Sequence, residues 1–181
     1  MVAANDQLYP MDSNHGELDL VQPKTGAISR VVDISAQLGH IVPTAIVHTD
    51  TPVIPRDQRR GTFYIGNLGI FGPGDAPGSE GVHAIAPNGT ITSVATGFEQ
   101  IVGLAFRGGS LYALELATTA GGPTPLSGAI VRVGPTGPAE TVASGLMFPT
   151  GMTVGPDGAF YVTDHGLGFG AGAGRVLRIV P

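Results

Sequence analysis

The chain has 181 residues, of which 42% are hydrophobic, and its formal net charge is −5. It has only 9 Lys and Arg residues, with one local cluster at Arg56, Arg59 and Arg60, so neither a nucleic acid nor an anionic membrane is an expected partner. The chain has no Cys, which excludes a disulfide framework, a thiol nucleophile and a Cys-zinc site.

The N-terminal residues predict no targeting segment. The stretch MVAANDQLYP has neither the basic nor the apolar part of a secretory signal peptide. No apolar run reaches about 18 residues, so no membrane helix is expected either. These observations leave the compartment of the protein open.

Short runs rich in Val, Ile, Thr, Tyr and Phe follow one another along the chain, separated by Gly, Pro, Asn-Gly and Asp-Gly. This pattern is typical of β-strands joined by hairpin turns. In chain order the runs are 7–13, 18–23, 28–35, then 42–47, 61–69, 82–87, 91–98, then 101–106, 109–117, 130–135, 140–146, and finally 148–154, 158–166 and 176–181.

The runs repeat with a regular period. Tyr64, Tyr112 and Tyr161 lie 48 and 49 residues apart, each inside one such run. Four short strands in a repeat of this length predict a blade of a β-propeller. A β-sandwich would also have short strands, but it does not require the period. We therefore predict one all-β domain, 1–181, a propeller with about three and a half four-stranded blades at 1–41, 42–99, 100–147 and 148–181.

This number of blades is too small to close a ring. A propeller needs about four blades to close, and the two end blades would present open strand edges, which folded proteins avoid. We therefore expect two chains to form one closed ring as a homodimer. The last strand, 175–181, should then lie at or near the seam.

In every repeat a polar residue follows a Tyr by three positions, and these residues are Asp12, Asn67, Glu115 and Asp164. The rotation between blades should bring them to one end of the central channel. Two interpretations stay open for this polar ring. The side chains cap turns by accepting backbone N–H bonds, or their hard oxygens bind Ca²⁺. A bound Ca²⁺ would polarise an ester carbonyl, and a carboxylate without metal could act as a general base.

Two histidines, His15 and His165, adjoin the polar ring, and each is a candidate general base or ligand. The stretch 12–16 resembles half of a calcium-binding loop, which makes Asn14 and His15 candidate ligand-binding residues. Loops grouped at one end of a rigid scaffold commonly bind ligands. The long glycine-rich loops that we predict at the ring end of the blades are 69–81, 117–128 and 166–174.

Three stretches of the chain resemble the C-terminal half of the ScyD/ScyE-type propeller family. They are LYPMDSN…LVQPKTGAISRVVDIS, PTGMTVGPDGAFYVTDHG and GNLGIFGPG…GVHAIAPNGTITSVATGF. That family is related in fold to the NHL-repeat and gluconolactonase-type propellers, and the latter resemblance implies a calcium-dependent lactonase. The metal-ligand positions of gluconolactonase-type propellers match Thr44, Val102 and Thr150 here, and none of these is a good divalent ligand.

Fold analogy and the polar ring together predict a calcium-assisted hydrolase of small cyclic esters, such as N-acyl-homoserine lactones or sugar lactones. The alternative is a non-catalytic propeller that binds a small ligand or a partner protein through its loops, and a truncated product with residual binding is a third possibility. The predicted catalytic residues are Asp164, His165 and Glu115. The predicted calcium ligands are Asp12, Asn67, Glu115 and Asp164.

Overall fold

The computed structural model describes residues 1–50, 61–69 and 76–181. This part of the chain forms four antiparallel sheets arranged as the blades of a β-propeller, which confirms the predicted all-β propeller fold. The cluster of Arg56, Arg59 and Arg60 and residues 70–75 of the loop 69–81 lie outside the described residues. No helix within these ranges is long and apolar enough to span a membrane.

The first blade is built around its strand β4. Its strands are β1 (Val2–Ala4), β2 (Gln7–Tyr9), β3 (Met11–Asp12), β4 (Glu17–Val21) and β5 (Ile28–Asp33). Both β2 and β3 pair with β4, and together they form one strand interrupted at Pro10. Proline has no N–H to donate to the neighbouring strand, so the regular pairing stops there.

Strand β1 precedes the first predicted strand and gives this blade its fourth strand position. It pairs with β2 across a hairpin turn at Asn5 and Asp6, whose φ angles are 51° and 59°. Two left-handed residues in succession give a turn whose twist matches that of the flanking strands, and Asn and Asp tolerate this conformation. Asn-Asp is a weaker hairpin signal than Asn-Gly, and the sequence therefore does not predict this strand.

Strand β5 ends two residues before the end of the predicted run 28–35, where helix α1 (Ile34–Leu38) begins. The Asp33 carboxylate accepts a hydrogen bond from Ala36 N at 2.8 Å and so caps the helix. The side chain of Ile34 is fully buried between the first and second blades. The helix thus attaches the connection between these blades to the core.

The other three blades follow in chain order. The second contains β6 (Pro43–Thr49), β7 (Thr62–Asn67), β8 (Glu80–Ile85) and β9 (Ile91–Phe98). The third contains β10 (Ile101–Arg107), β11 (Ser110–Glu115), β12 (Gly128–Val133) and β13 (Pro138–Leu146). The fourth contains β14 (Gly151–Val154), β15 (Phe160–Asp164) and β16 (Arg175–Ile179). The inner strands β1, β6, β10 and β14 are neighbours in that order.

Apolar side chains fill the space between each pair of neighbouring blades. Successive side chains of β7 point to opposite faces of its sheet, so this strand contributes to two cores. Phe63 and Ile65 pack against the first blade, and Tyr64 packs against the third. Strand β11 repeats the arrangement, with Ala113 facing the second blade and Leu114 facing the fourth. Burial of a large apolar side chain stabilises the fold by about 1.5–3 kcal/mol, so these cores hold the blades together.

Glycine permits a close approach between the second and third blades at Gly66. A Cβ on Gly66 of β7 would lie 2.5 Å from Ile101 Cγ2 of β10. We expect Gly66→Ala to lower the free energy of unfolding by about 1–3 kcal/mol, because the added methyl overpacks this contact. Gly170→Ala is the matched control, since its Cβ would meet nothing within 4 Å. Urea unfolding of the two variants measures the difference, and equal stability would contradict the tight contact.

Candidate functional site

The loop face is the end of the blades at which the second strands finish and the inner strands begin. At this end the Glu115 carboxylate accepts a hydrogen bond from Glu99 N at 2.8 Å, and the Asp164 carboxylate accepts one from Met147 N at 2.8 Å. Glu99 and Met147 occupy the same position in successive blades, two and four residues before β10 and β14 respectively. A buried carboxylate thus holds the segment that leads into the inner strand of its own blade.

The other two members of the polar ring also accept backbone N–H bonds. The Asn67 amide oxygen accepts one from Gly81 N at 2.9 Å. The Asp12 carboxylate accepts two, from Asn14 N at 2.9 Å and from His15 N at 3.0 Å. All four ring residues therefore accept backbone N–H bonds, but only Asp12 caps a nearby turn, because the donors to Asn67, Glu115 and Asp164 lie 14 to 17 residues away along the chain. Whether any of them also binds a metal ion or a substrate stays a prediction.

Asp164 and His165 form a hydrogen-bonded dyad at the end of β15. His165 Nδ1 lies 2.9 Å from Asp164 Oδ2, and the Asp164 side chain is completely buried. The Arg175 guanidinium, at the start of β16, donates to the same carboxylate oxygen from Nε at 3.0 Å and from Nη2 at 2.9 Å. A carboxylate next to Nδ1 favours the tautomer with the proton on that nitrogen, which leaves Nε2 as the basic atom.

The His165 ring is presented to the loop face by an unusual backbone conformation. Its φ of 60° is left-handed, whereas Leu68 and Leu116 at the same position of the two preceding blades do not have positive φ. His165 N donates to Met147 O at 2.8 Å, which helps to hold this conformation. The imidazole side chain is 19% exposed and its Nε2 makes no hydrogen bond within the described residues. A non-glycine residue held in this region is strained, and such strain concentrates at functional sites.

Two phenylalanines form an apolar wall beside the imidazole. The Phe169 ring lies 4.4 Å from the His165 ring between centroids, and Phe148 lies 6.1 Å from Phe169. Phe169 is exposed, as is its neighbour Leu167. A concave surface lined by Asp164, Gly166, Gly174 and Arg175, among others, adjoins the dyad on the side of β16. The dyad thus has an apolar side and a side that carries the Arg175 charge.

The end of β11 differs from this arrangement because it buries two acids together. The side chains of Glu115 and Glu99 are almost wholly buried, and Gly78 N donates to Glu99 Oε1 at 2.6 Å. Burial raises the pKa of Glu115 to about 7, and the Glu99 charge adds to this effect, while the bond from Glu99 N opposes it. Glu99 Oε2 and both polar side-chain atoms of the fully buried Gln100 have no partner within the described residues.

The N-terminal pair, Asp12 and His15, is the exposed counterpart of the Asp164 dyad. His15 Nδ1 lies 2.7 Å from Asp12 Oδ2. This hydrogen bond is the main cause of the raised pKa of His15 and of the lowered pKa of Asp12. Asn14 is exposed and contributes its backbone N–H to the same turn. The three residues lie together, as their spacing predicts, but on the surface of the first blade.

The described residues do not gather three or more His, Asp or Glu side chains in an arrangement that could hold a metal ion. Asp164 already binds Arg175 and His165, and Asp12 binds His15, so these oxygens are engaged by the protein itself. The family-matched position Thr44 is engaged as well, because its hydroxyl donates to Ile101 O. The four ring residues therefore do not fit as a single set of calcium ligands.

Several residues of the loop face carry no signal in the repeat pattern. These residues are Glu99, Gln100, Phe148, Phe169 and Arg175. Glu99 and Gln100 had a detectable signal, because they form a polar pair between the apolar runs 91–98 and 101–106. Arg175 had one too, as the only cation near the end of the glycine-rich loop 166–174.

Among known proteins, only solved structures resemble this chain, and the resemblance is one of fold. No protein-family model matches the chain, and no curated protein matches it. Solved structures do match. The PQQ-bound aldose sugar dehydrogenase of Streptomyces coelicolor has a TM-score of 0.64 at 14% identity, covering 97% of this chain and 57% of that one. A protein provisionally named a gluconolactonase has a TM-score of 0.61 at 17% identity, covering 97% and 57%. The calcium-binding protein regucalcin from Agrobacterium tumefaciens has a TM-score of 0.57 at 14% identity, covering 89% and 50%.

The chain thus spans 50–57% of the length of these structures. At such identities the likeness shows a propeller fold of the kind found in gluconolactonase-like and other propeller proteins, and it does not transfer an activity. The narrower resemblance to the ScyD/ScyE-type family is not confirmed and stays a prediction.

The raised pKa of Glu115 predicts a pH dependence of stability. Between the ordinary value of 4.5 and about 7 the unfolded chain has released this proton and the folded chain retains it. The free energy of unfolding should therefore fall as pH rises through this window, by about 3 kcal/mol in total. Glu115→Gln should remove this fall, whereas Glu140→Gln at an exposed site should not. Urea unfolding in chelator from pH 4 to pH 8 measures it, and identical profiles for wild type and Glu115→Gln would refute it.

Proposed function

We propose that the chain forms part of a propeller hydrolase that opens small cyclic esters on its loop face, with His165 as the general base. The observation that carries the proposal is the dyad itself. The buried Asp164 carboxylate holds the Nδ1 side of a partly exposed imidazole at 2.9 Å, and no other hydrogen bond occupies Nε2 within the described residues. An oriented histidine of this kind is a common device for activating water in ester hydrolysis.

The chemistry follows from the arrangement of the atoms. His165 Nε2 accepts a proton from a water molecule, and the water oxygen forms a bond to the ester carbonyl carbon. The tetrahedral intermediate then collapses, the bond between the carbonyl carbon and the ring oxygen breaks, and the imidazolium returns its proton to the leaving oxygen. The product is a hydroxy acid. Asp164 stabilises the imidazolium in the middle of this sequence without taking its proton.

Arg175 and the phenylalanines supply the rest of the site. The Arg175 guanidinium is half exposed, so the face that does not bind Asp164 can attract the carboxylate that forms on ring opening. The apolar wall of Phe148 and Phe169 excludes water from one side of the imidazole and fits the apolar part of a substrate. N-acyl-homoserine lactones and sugar lactones are the substrate classes that we propose to test.

The structural neighbours support this choice only by analogy. One of them is provisionally named a gluconolactonase, and another is named a calcium-binding protein. A Ca²⁺ on the loop face would polarise the carbonyl of the ester, and calcium assistance therefore stays within the proposal. Glu115 stays a proposed second acid or base, because its pKa of about 7 suits proton transfer near neutral pH.

The second candidate function is a non-catalytic propeller that binds a small ligand or a protein through its loop face. One observation favours it. Arg175 and Met147 N both bind the Asp164 carboxylate, so this residue has a structural role whether or not His165 is a base.

The activity test compares two histidines of the loop face. We expect His165→Gln to lower kcat/KM for the best substrate of a lactone and ester panel by about 10²–10⁴-fold, because the general base is lost. His40→Gln at an exposed position is the matched control and should keep full activity. The panel is run with and without chelator, which separately tests calcium assistance. Full activity in His165→Gln would rule out the dyad as the base, and no hydrolysis by the wild type would favour the binding function.

We also propose the homodimer. Strand β16 is the outer strand of its sheet, its outward residues are largely exposed, and Val176 on it is 65% exposed. Light scattering should give about 37 kDa, twice the 18.4 kDa of one chain. Val176→Glu should weaken dimerisation at least about tenfold, because charges on an edge strand oppose pairing, whereas Leu126→Glu on an exposed loop should not. A stable monomer at micromolar concentration would contradict the dimer.

A further inference from the structure

The loop face contains two buried acids that no protein cation neutralises. Glu99 and Glu115 are only 8% and 4% exposed as whole residues, and within the described residues neither forms an ion pair with Lys, Arg or His. Each uses one carboxylate oxygen to accept a backbone N–H, from Gly78 and Glu99 respectively. Buried carboxylates are normally paired with a cation or coordinate a metal ion, since their desolvation is costly.

Three polar atoms of the consecutive residues Glu99 and Gln100 also lack hydrogen-bond partners within the described residues. They are Glu99 Oε2 and the Oε1 and Nε2 atoms of Gln100, whose side chain is fully buried. An unsatisfied buried polar atom costs on the order of one hydrogen bond or more. We call Glu99, Gln100 and Glu115 the acid cluster. It concentrates three such atoms in two consecutive residues, which is more than ordinary packing leaves unpaired.

The repeat shows what this position contains in the next blade. Asp164, the equivalent of Glu115, faces Arg175 across the pair of strands β15 and β16. Glu115 faces Ala129 across β11 and β12 at the same register position. The third blade thus has a buried Ala129 where the fourth has a guanidinium, and a second acid, Glu99, where the fourth has Met147. Relative to the fourth blade, this position has gained a negative charge and lost a positive one.

We propose that the acid cluster binds a divalent cation with a preference for hard oxygen ligands, in the place that the Arg175 guanidinium takes in the fourth blade. The ligands are Glu99 Oε2, the Gln100 amide oxygen and the Glu115 carboxylate. Carboxylate and amide oxygens are the donors that Ca²⁺ and Mg²⁺ take in proteins, and two carboxylates balance the charge of a divalent ion. This cation neutralises the two acids and ties the segment 99–100 to the end of β11. The site is separate from the Asp164–His165 dyad, but it shares Glu115 with the proposed hydrolase, in which that residue is the proposed second acid or base.

The test measures binding and stability, without any substrate. Titration calorimetry with CaCl₂ on chelator-treated full-length protein should detect a site. Tb³⁺ bound at this site should luminesce, and added Ca²⁺ should displace it and reduce that luminescence. At a hundredfold excess over Kd, Ca²⁺ should raise the melting temperature by about 5 °C or more. Glu99→Gln and Gln100→Met should each weaken binding at least about tenfold. Glu140→Gln on the surface is the matched control for Glu99→Gln and should leave binding unchanged.

A second readout separates a cation ligand from a structural acid. In chelator Glu99→Gln should melt at a higher temperature than the wild type, because it removes an uncompensated buried charge. In saturating Ca²⁺ the order should reverse, because only the wild type gains the bound ion. Absence of Ca²⁺ and Mg²⁺ binding by the wild type would overturn the proposal. Unchanged affinity in both variants would overturn it too, since the ion would then bind elsewhere.

Discussion

A hydrogen bond from a backbone N–H to the acid that ends the second strand is the interaction on which the loop face depends. In the third and fourth blades it ties Glu115 to Glu99 N and Asp164 to Met147 N. The segment that donates this N–H leads directly into the inner strand, and the inner strand β10 packs against both β6 and β14. The bond therefore ties the end of the second strand to the segment that begins the inner strand of the same blade. Charge-assisted bonds to backbone N–H groups are strong enough for this role.

The same bond holds a carboxylate away from water, and the two blades differ in the residues that surround this carboxylate. In the fourth blade Arg175 and His165 surround the acid, so its charge is balanced and a histidine is held at the surface. In the third blade Ala129 and Leu116 occupy those places, so the acid stays buried without a protein cation. One repeated structural position thus has two different surroundings. The dyad of the proposed hydrolase lies in the fourth blade, and the proposed cation site lies in the third.

The period of the sequence predicts the fold and the positions of the ring, because both depend on local pattern. Strand alternation and the spacing of Tyr64, Tyr112 and Tyr161 are sufficient to place Asn67, Glu115 and Asp164 at the ends of second strands. The partners of these residues could not be predicted, because they lie 14 to 17 residues away on other segments. The contact between Asp164 and Arg175 depends on the register of β16 after a long glycine-rich loop, and no turn signal there sets that register.

In the segment before each of the inner strands β6, β10 and β14, one residue has a left-handed backbone conformation. Val42, Gln100 and Phe148 occupy equivalent positions and all have positive φ, between 42° and 52°. Their carbonyl oxygens accept hydrogen bonds from the N–H groups of the segments that follow the second strands, Leu68 N, Leu116 N and Gly166 N. Glycine would adopt this conformation without strain.

A non-glycine residue costs about 1–2 kcal/mol at such a position. The cost is offset only if the side chain makes contacts that glycine cannot. Phe148 packs near Phe169 in the wall beside His165, and Gln100 places an amide in the acid cluster. The equivalent position thus has an aromatic side chain near Phe169 in the fourth blade and a fully buried amide in the third, so the contacts of this residue differ from blade to blade.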